Sequence, residues 1–144
     1  MEMAVSFREK SAWISLLAYL AIYGFYFANV AFALARGEAD GGHFLGLLSE
    51  SVVLFVLVTV VLTIIIAIGA PKDAQTPEDE REKLIKFKAN SAAGYVLATG
   101  VVVAIGALYF DAKSFLVINL LFFVLVMFEV FKIAAQLVLT RRGV

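Results

Sequence analysis

Thr76-Pro77-Glu78-Asp79-Glu80-Arg81-Glu82-Lys83 and, a few residues on, the uncharged run from Ser91 to Phe110 decide the fold between them. The first segment belongs in water and the second in lipid or a dry core. No proline interrupts Glu78 to Phe110, and Gly94, Gly100 and Gly106 are tolerated in membrane helices. Thr76 has the chemistry of an N-cap, Pro77 that of the first helical residue, and Asp79 that of an acidic N3 partner. One rod from Pro77 to Phe110 would run ~50 Å, of which a bilayer core takes only ~30 Å. The expectation is a helix that spans the membrane from Ser91 and projects beyond it over Pro77–Asn90.

Composition agrees. The chain has 144 residues, 62% of them hydrophobic, well above the half-apolar level of soluble domains. Mean hydropathy is +0.95. Twelve basic residues balance twelve acidic ones, which argues against direct nucleic-acid binding, since that needs a net basic surface. The absence of cysteine removes disulfides and thiolate chemistry. His43 is the single histidine, so a histidine-ligated haem would depend on it alone or on another chain; no cofactor is expected.

Working outward, three further spans are expected. Ala12–Ala35 follows a polar lead and carries Phe7 and Trp13 where interfacial anchors belong. Ala33-Leu34-Ala35 resembles a cleavage site, but the apolar run exceeds the ~7–15 residues of a signal sequence, so it is read as a span. Arg36 to His43, with three glycines, is expected to be a turn before the second span, Ser51–Ala70. Pro71 to Gln75 is a loop, and Asp111-Ala112-Lys113 a hairpin turn before the fourth span, Ser114–Leu139.

The fold class expected is an all-α integral membrane protein, a single domain in a four-transmembrane-helix bundle. Arg8, Lys10, Lys72, Arg81, Lys83, Lys86, Lys88, Arg141 and Arg142 flank the spans on one side, against Arg36 and Lys113 on the other. By the positive-inside rule both termini and the third-helix extension are cytoplasmic, in a cell's inner membrane. The two halves show no internal repeat of the kind many transporters carry.

Glu129 is the sharpest chemical anomaly. Fifteen uncharged residues from Ser114 precede it, placing it ~22 Å from one membrane boundary and ~8 Å from the other. A carboxylate at that depth normally faces the bundle interior or a partner. Lys132 lies one turn away and is a natural counter-charge, so a purely structural pair is the plainer alternative. Counting depth along each helix puts Tyr19, Thr63 and Tyr95 at the same level, giving an expected polar layer of Tyr19, Thr63, Tyr95, Glu129 and Lys132.

Other features carry less chemistry. Tyr19, Tyr23 and Tyr26 form an aromatic stripe with Asn29 beyond, read as helix packing rather than a ligand groove. Gly100, Ala104 and Ala107 share a small-residue face for close helix contact, within the chain or between two copies. Glu38, Asp40, His43 and Glu50 lack any metal-binding spacing and read as a solvated turn, so no metal is expected.

The projecting segment offers a partner-binding surface. Asp79–Lys83 and Glu82–Lys86 are acid-before-base pairs at helical spacing, while Leu84, Phe87 and Ser91 form a mostly apolar stripe. That stripe is expected either to pack near Phe7 or to receive an outside partner, through Asp79, Arg81, Glu82, Leu84, Lys86 and Phe87. Lys86 and Lys88 would sit at lipid headgroups.

Asp79-Glu80-Arg81-Glu82, then Ile85, Lys88-Ala89 and Tyr95, resembles a group of small prokaryotic four-helix membrane proteins with an Asp-Glu-Arg motif before the third span. Their genes often accompany small helix-turn-helix regulators, so the resemblance implies sensing or the tethering of a cytoplasmic regulator. It supplies no catalytic residues. The function expected is non-enzymatic: an interaction, regulatory or accessory subunit whose partners are the lipid bilayer, a cytoplasmic regulator or membrane protein, and in some readings a second copy. A small transporter or channel subunit working through Glu129 is the alternative.

Overall fold

The computed structural model describes residues 7–37, 41–69, 71 and 77–142. Four helices account for nearly all of them: α1 (Phe7–Arg36), α2 (Gly41–Gly69), α3 (Glu80–Tyr109) and α4 (Ser114–Arg142). Each is long and apolar enough to cross a bilayer, which makes this a multi-pass membrane protein. In lipid a helix satisfies its own backbone polar groups, so long apolar runs have no simpler solution.

The helix ends follow from local chemistry. α1 stops at Gly37, whose φ of 73° is the left-handed conformation glycine adopts without strain. α3 stops in a Schellman turn. Asp111 takes the left-handed position at φ 57°, its N–H donates to the Leu108 carbonyl at 3.1 Å, and the Ala112 N–H donates to Ala107 at 3.0 Å. That turn sends the chain straight back into α4.

α3 is one unbroken helix across Asn90, 30 residues and about 45 Å long. Its start differs from the expectation. Asp79 is the N-cap rather than N3, and it forms a capping box with Glu82, whose carboxylate accepts the Asp79 N–H at 3.2 Å. Asp79 and Glu82 repeat the cap spacing one register later than Thr76 and Asp79, and Pro77 stays outside the helix. Thr76 lies outside the described residues. α2 also begins earlier than Ser51. Gly41, Gly42 and His43 are already helical, because Phe44, Leu47, Leu48 and Ser51 supply a packing face that outweighs the glycine-rich entry.

Across the molecule the helices lie in the order α2–α1–α4–α3, with the most extensive packing between α3 and α4. α2 and α3 are therefore the flanking helices. From Val52 to Gly69 no residue of α2 is buried, the pattern of a helix that faces lipid. The core at one end gathers Tyr26, Val30, Ala33 and Phe44, with Phe27, Phe115 and Phe122 against them. The Tyr26 and Phe122 rings meet edge to face, 5.6 Å between centroids.

The α3–α4 contact uses small residues along most of its length. Ile85, Ala89, Ala93 and Ala104 are buried on α3 at spacings of one helical turn or its multiples. At Gly100 the approach is so close that an added β-carbon would lie 2.3 Å from a Val124 methyl. Gly100 thus marks a contact inside one chain, with Ala104 buried one turn further on.

Candidate functional site

Helices α1, α3 and α4 end together where the basic residues concentrate, and ion pairs tie their ends. Arg8 of α1 pairs with Glu82 of α3, and Glu9 of α1 with Arg141 of α4 at 3.1 Å. The Arg141 guanidinium also stacks over the Trp13 ring at 5.4 Å. Just before α3, Glu78 pairs with Lys86. Hydrogen bonding to Lys86 holds the Glu78 carboxyl below the usual carboxylate range.

Between these ends lies a cleft of about 260 Å³. Its floor is apolar, made by Ala12, Ile85 and Leu137. Its rim alternates charge: Arg8, Arg81 and Lys86 against Glu9, Asp79 and Glu82, with Gln136 and Thr140 closing the α4 side. The first turns of α3 therefore pack on α4 and are ion-paired to α1 instead of standing alone.

Two expected pairings are replaced. Glu82 turns toward Arg8, and Lys86 reaches back to Glu78, so Glu82–Lys86 does not form. Lys83 pairs with Glu80 at 2.7 Å rather than with Asp79, which is occupied in capping. Sequence spacing identifies which charges share a helix face, but the charge on a neighbouring helix decides between them. The packed stripe is Ile85, Ala89 and Ala93, whereas Leu84 and Phe87 point outward, Phe87 being 70% exposed. Asp79, Arg81, Glu82 and Lys86 line the cleft, and Leu84 and Phe87 occupy the far side of the same helix.

The expected polar layer is brought together only in part. Glu129 and Lys132 pair at 2.5 Å, and the Lys132 ammonium lies 5.1 Å from the Phe128 ring centroid. Tyr19 is half-buried on α1, within electrostatic reach of Glu129. Its ring packs 4.3 Å from Phe55 of α2. Tyr95, by contrast, is 78% exposed, on a hollow it shares with Phe123 and Met127. Thr63 is half-buried on α2, a helix that packs on α1 rather than beside the Glu129 stretch of α4. Depth counting leaves rotation about a helix axis open, so it misses that Tyr95 faces outward, and it misjudges height on α2, where Phe55, two turns from Thr63, is the residue level with Tyr19.

A five-residue π-helical turn, Tyr19–Tyr23, interrupts α1 at this level. It sets both tyrosine rings against Phe55, Tyr23 at 5.4 Å, and Tyr23 also meets Phe122 edge-on at 5.4 Å. The aromatic stripe is thus helix packing.

A second polar contact has no counterpart among the sequence expectations. The Tyr26 hydroxyl donates to the Asn119 side-chain oxygen at 2.7 Å, and both residues are buried. Asn119 is the one amide between Ser114 and Glu129, a signal that an intramembrane partner was needed. Asn29 bonds to the Phe25 carbonyl of its own helix, at 2.8 Å.

Beside this pair is an apolar cavity of about 210 Å³ bounded by Phe44, Leu48, Phe115 and Ile118. A third hollow, between Tyr95, Thr99, Phe123 and Met127, opens on the outer face of α3 and α4. Glu129 lines none of the three. Among the described residues no group of three or more His, Asp or Glu comes together as a metal site; Glu38 and Asp40 lie outside them. Comparison with protein-family models, with curated proteins and with solved structures gives no match.

Proposed function

We propose that this protein is a non-enzymatic interaction or regulatory subunit of a cell's inner membrane, with both termini and the start of α3 in the cytoplasm. The observation that carries the proposal is the outward stripe of Leu84 and Phe87, exposed on a helix whose opposite side is packed and ion-paired. Counted from Ser91, Phe87 lies ~6 Å and Leu84 ~10 Å beyond the hydrocarbon boundary. The stripe therefore runs from headgroup level into water, and its partner is a protein segment lying at the membrane surface. Glu80, Lys83 and Lys88 flank it and would select that partner by charge. Tethering of a small cytoplasmic regulator, as the family resemblance implies, is the form of this function we favour.

The test is photo-crosslinking in intact membranes from position 87, with position 109 at the other end of α3 as control. A single protein adduct from position 87, lost on Leu84→Asp, supports the proposal. Absence of any adduct at position 87 refutes it.

A second reading, transport through Glu129, draws on the 2.5 Å Glu129–Lys132 pair near Tyr19. Its signature would be pH-dependent flux in vesicles that disappears in Glu129→Gln.

A further inference from the structure

The aromatic contacts of α2 fix its height in the molecule. α2 and α4 run in the same direction, and the Phe44 and Phe115 rings lie 5.3 Å apart, so Phe44 is level with the second residue of the α4 span. Glu50, six residues further along α2, then lies ~10 Å inside the hydrocarbon boundary at Ser114, on the side away from the termini. A second contact agrees. Phe55 packs 4.3 Å from Tyr19 and 5.4 Å from Tyr23. Those tyrosines lie ~18–24 Å along α1 from Ala35, which leaves Glu50 ~10–16 Å deep. The carboxylate read from the sequence as part of a solvated turn is therefore about two turns down in the membrane.

It also points away from the rest of the chain. Phe44, Leu47, Leu48 and Ser51 form the packed face of α2, and the Ser51 hydroxyl donates to the Leu47 carbonyl at 2.8 Å. Glu50 is exposed and makes no hydrogen bond or ion pair among the described residues. A carboxylate facing hydrocarbon is costly, and its stem is too short to snorkel as Lys and Arg do. The face around it suits a helix. Gly46, Glu50, Val53, Leu57, Val60 and Ile64 follow at alternating steps of four and three residues, the seam of a left-handed helix pair, and all six are exposed. At Gly46, one turn from Glu50, a β-carbon would meet nothing within 4 Å, so a second backbone can come close.

Charge selects the occupant. A partner at this depth must bring a cation, and a second copy in the same orientation has none to bring. Residues 12–35, 43–69, 91–110 and 114–131 hold no Lys or Arg. Arg36 and Lys113 stand at the near boundary and Lys132 close to the opposite one. A lipid ammonium stays at headgroup level, ~10 Å away. A basic side chain on another protein's membrane helix reaches Glu50.

We infer that the Gly46–Ile64 face of α2 is the docking site for a transmembrane helix of another protein, one carrying an Arg or Lys about two turns below the membrane surface that pairs with Glu50. α2 and α3 flank the bundle, so this surface is apart from Leu84 and Phe87 and stands or falls separately from them.

The experiment is energy transfer between the labelled full chain and labelled synthetic helices in dioleoylphosphatidylcholine vesicles. The helices are ~20-residue leucine–alanine spans with one Arg two turns from an end, one Arg at the centre, or none. The first is expected to associate about ten-fold more tightly than the other two. Glu50→Gln should remove that preference, and Glu50→Arg should transfer it to a helix bearing Glu at the same position. Equal association of the three helices, or a preference that survives Glu50→Gln, overturns the inference. Energy transfer between two labelled copies of the chain that is lost in Glu50→Gln would make the occupant a second copy and overturn it as well. Glu50 is exposed, so Glu50→Gln leaves the packing of the fold untouched.

Discussion

Tyr26 on α1 and Asn119 on α4 meet across 93 residues of chain in a 2.7 Å hydrogen bond buried within the spans. Asn119 also donates to the Phe115 carbonyl at 2.8 Å, which fixes its amide orientation toward the tyrosine. In a core made mostly of hydrocarbon this is the directional contact that sets the rotation of α1 against α4. Tyr26→Phe leaves the Asn119 oxygen without its donor and is expected to cost about 0.6–1.7 kcal/mol, the range for interhelical hydrogen bonds in lipid. Unfolding in mixed micelles would measure it. Asn119→Leu added to Tyr26→Phe should cost less than the sum of the two, because no unsatisfied group then remains.

Gly100 against Val124 offers a steric counterpart. A β-carbon at position 100 would sit 2.3 and 2.4 Å from the two Val124 methyls and 2.9 Å from its Cβ. The Cβ cannot rotate away, so α3 and α4 must part. Gly100→Ala is expected to destabilise the fold by about 1–3 kcal/mol, the cost of overpacking. Val124→Ala should recover a good part of that loss in the double variant. Gly46→Ala has open space around it and should lack the steric penalty.

These two contacts show what the sequence could and could not convey. The small-residue face of Gly100 and Ala104 was legible because helix periodicity aligns residues along one helix. The unbroken passage from Glu82 through Asn90 to Tyr109 was legible because no proline and no charged residue beyond Lys88 interrupts it. Tyr95 was not legible because α3 carries apolar residues all round its axis, so composition alone leaves its rotation undetermined. The partner of Glu82 was hidden for a related reason. Lys86 on the same helix was in view, and Arg8, 74 residues away, was not. The clefts, which depend on where three helix ends stop relative to one another, had no local signal at all.

Arg8 and Glu82 predict an asymmetry between neighbouring carboxylates of α3. Glu82 pairs across helices, whereas Glu80 pairs with Lys83 of its own helix at 2.7 Å. Glu82→Arg should therefore loosen the α1–α3 contact, and Arg8→Glu combined with it should restore the attraction. Both side chains are about one-third exposed, so the coupling in a double-mutant cycle is expected at about 0.2–1 kcal/mol. Glu80→Arg should show no coupling to Arg8. Spin labels on the first turns of α1 and α3 would report the separation directly, widening in Glu82→Arg and closing again in the swapped pair.

Glu78 gives the pH dependence its sign. The Lys86 hydrogen bond holds its folded carboxyl below the value of ~4.3 expected in the unfolded chain. A group with a depressed folded pKa stabilises the fold above its unfolded value and loses that contribution as pH falls through the folded one. The Glu78–Lys86 clasp should thus be intact at neutral pH and release only below the ordinary glutamate range. A carbon-detected titration of the Glu78 carboxyl should show a midpoint under ~4.3, and Lys86→Gln should move it upward. A midpoint that ignores Lys86→Gln would mean the clasp does not hold in solution. Because Glu78 is exposed to solvent and precedes the helix, its release should free the segment before α3 without unfolding α3 itself. Helical circular dichroism is therefore expected to stay level across the same titration.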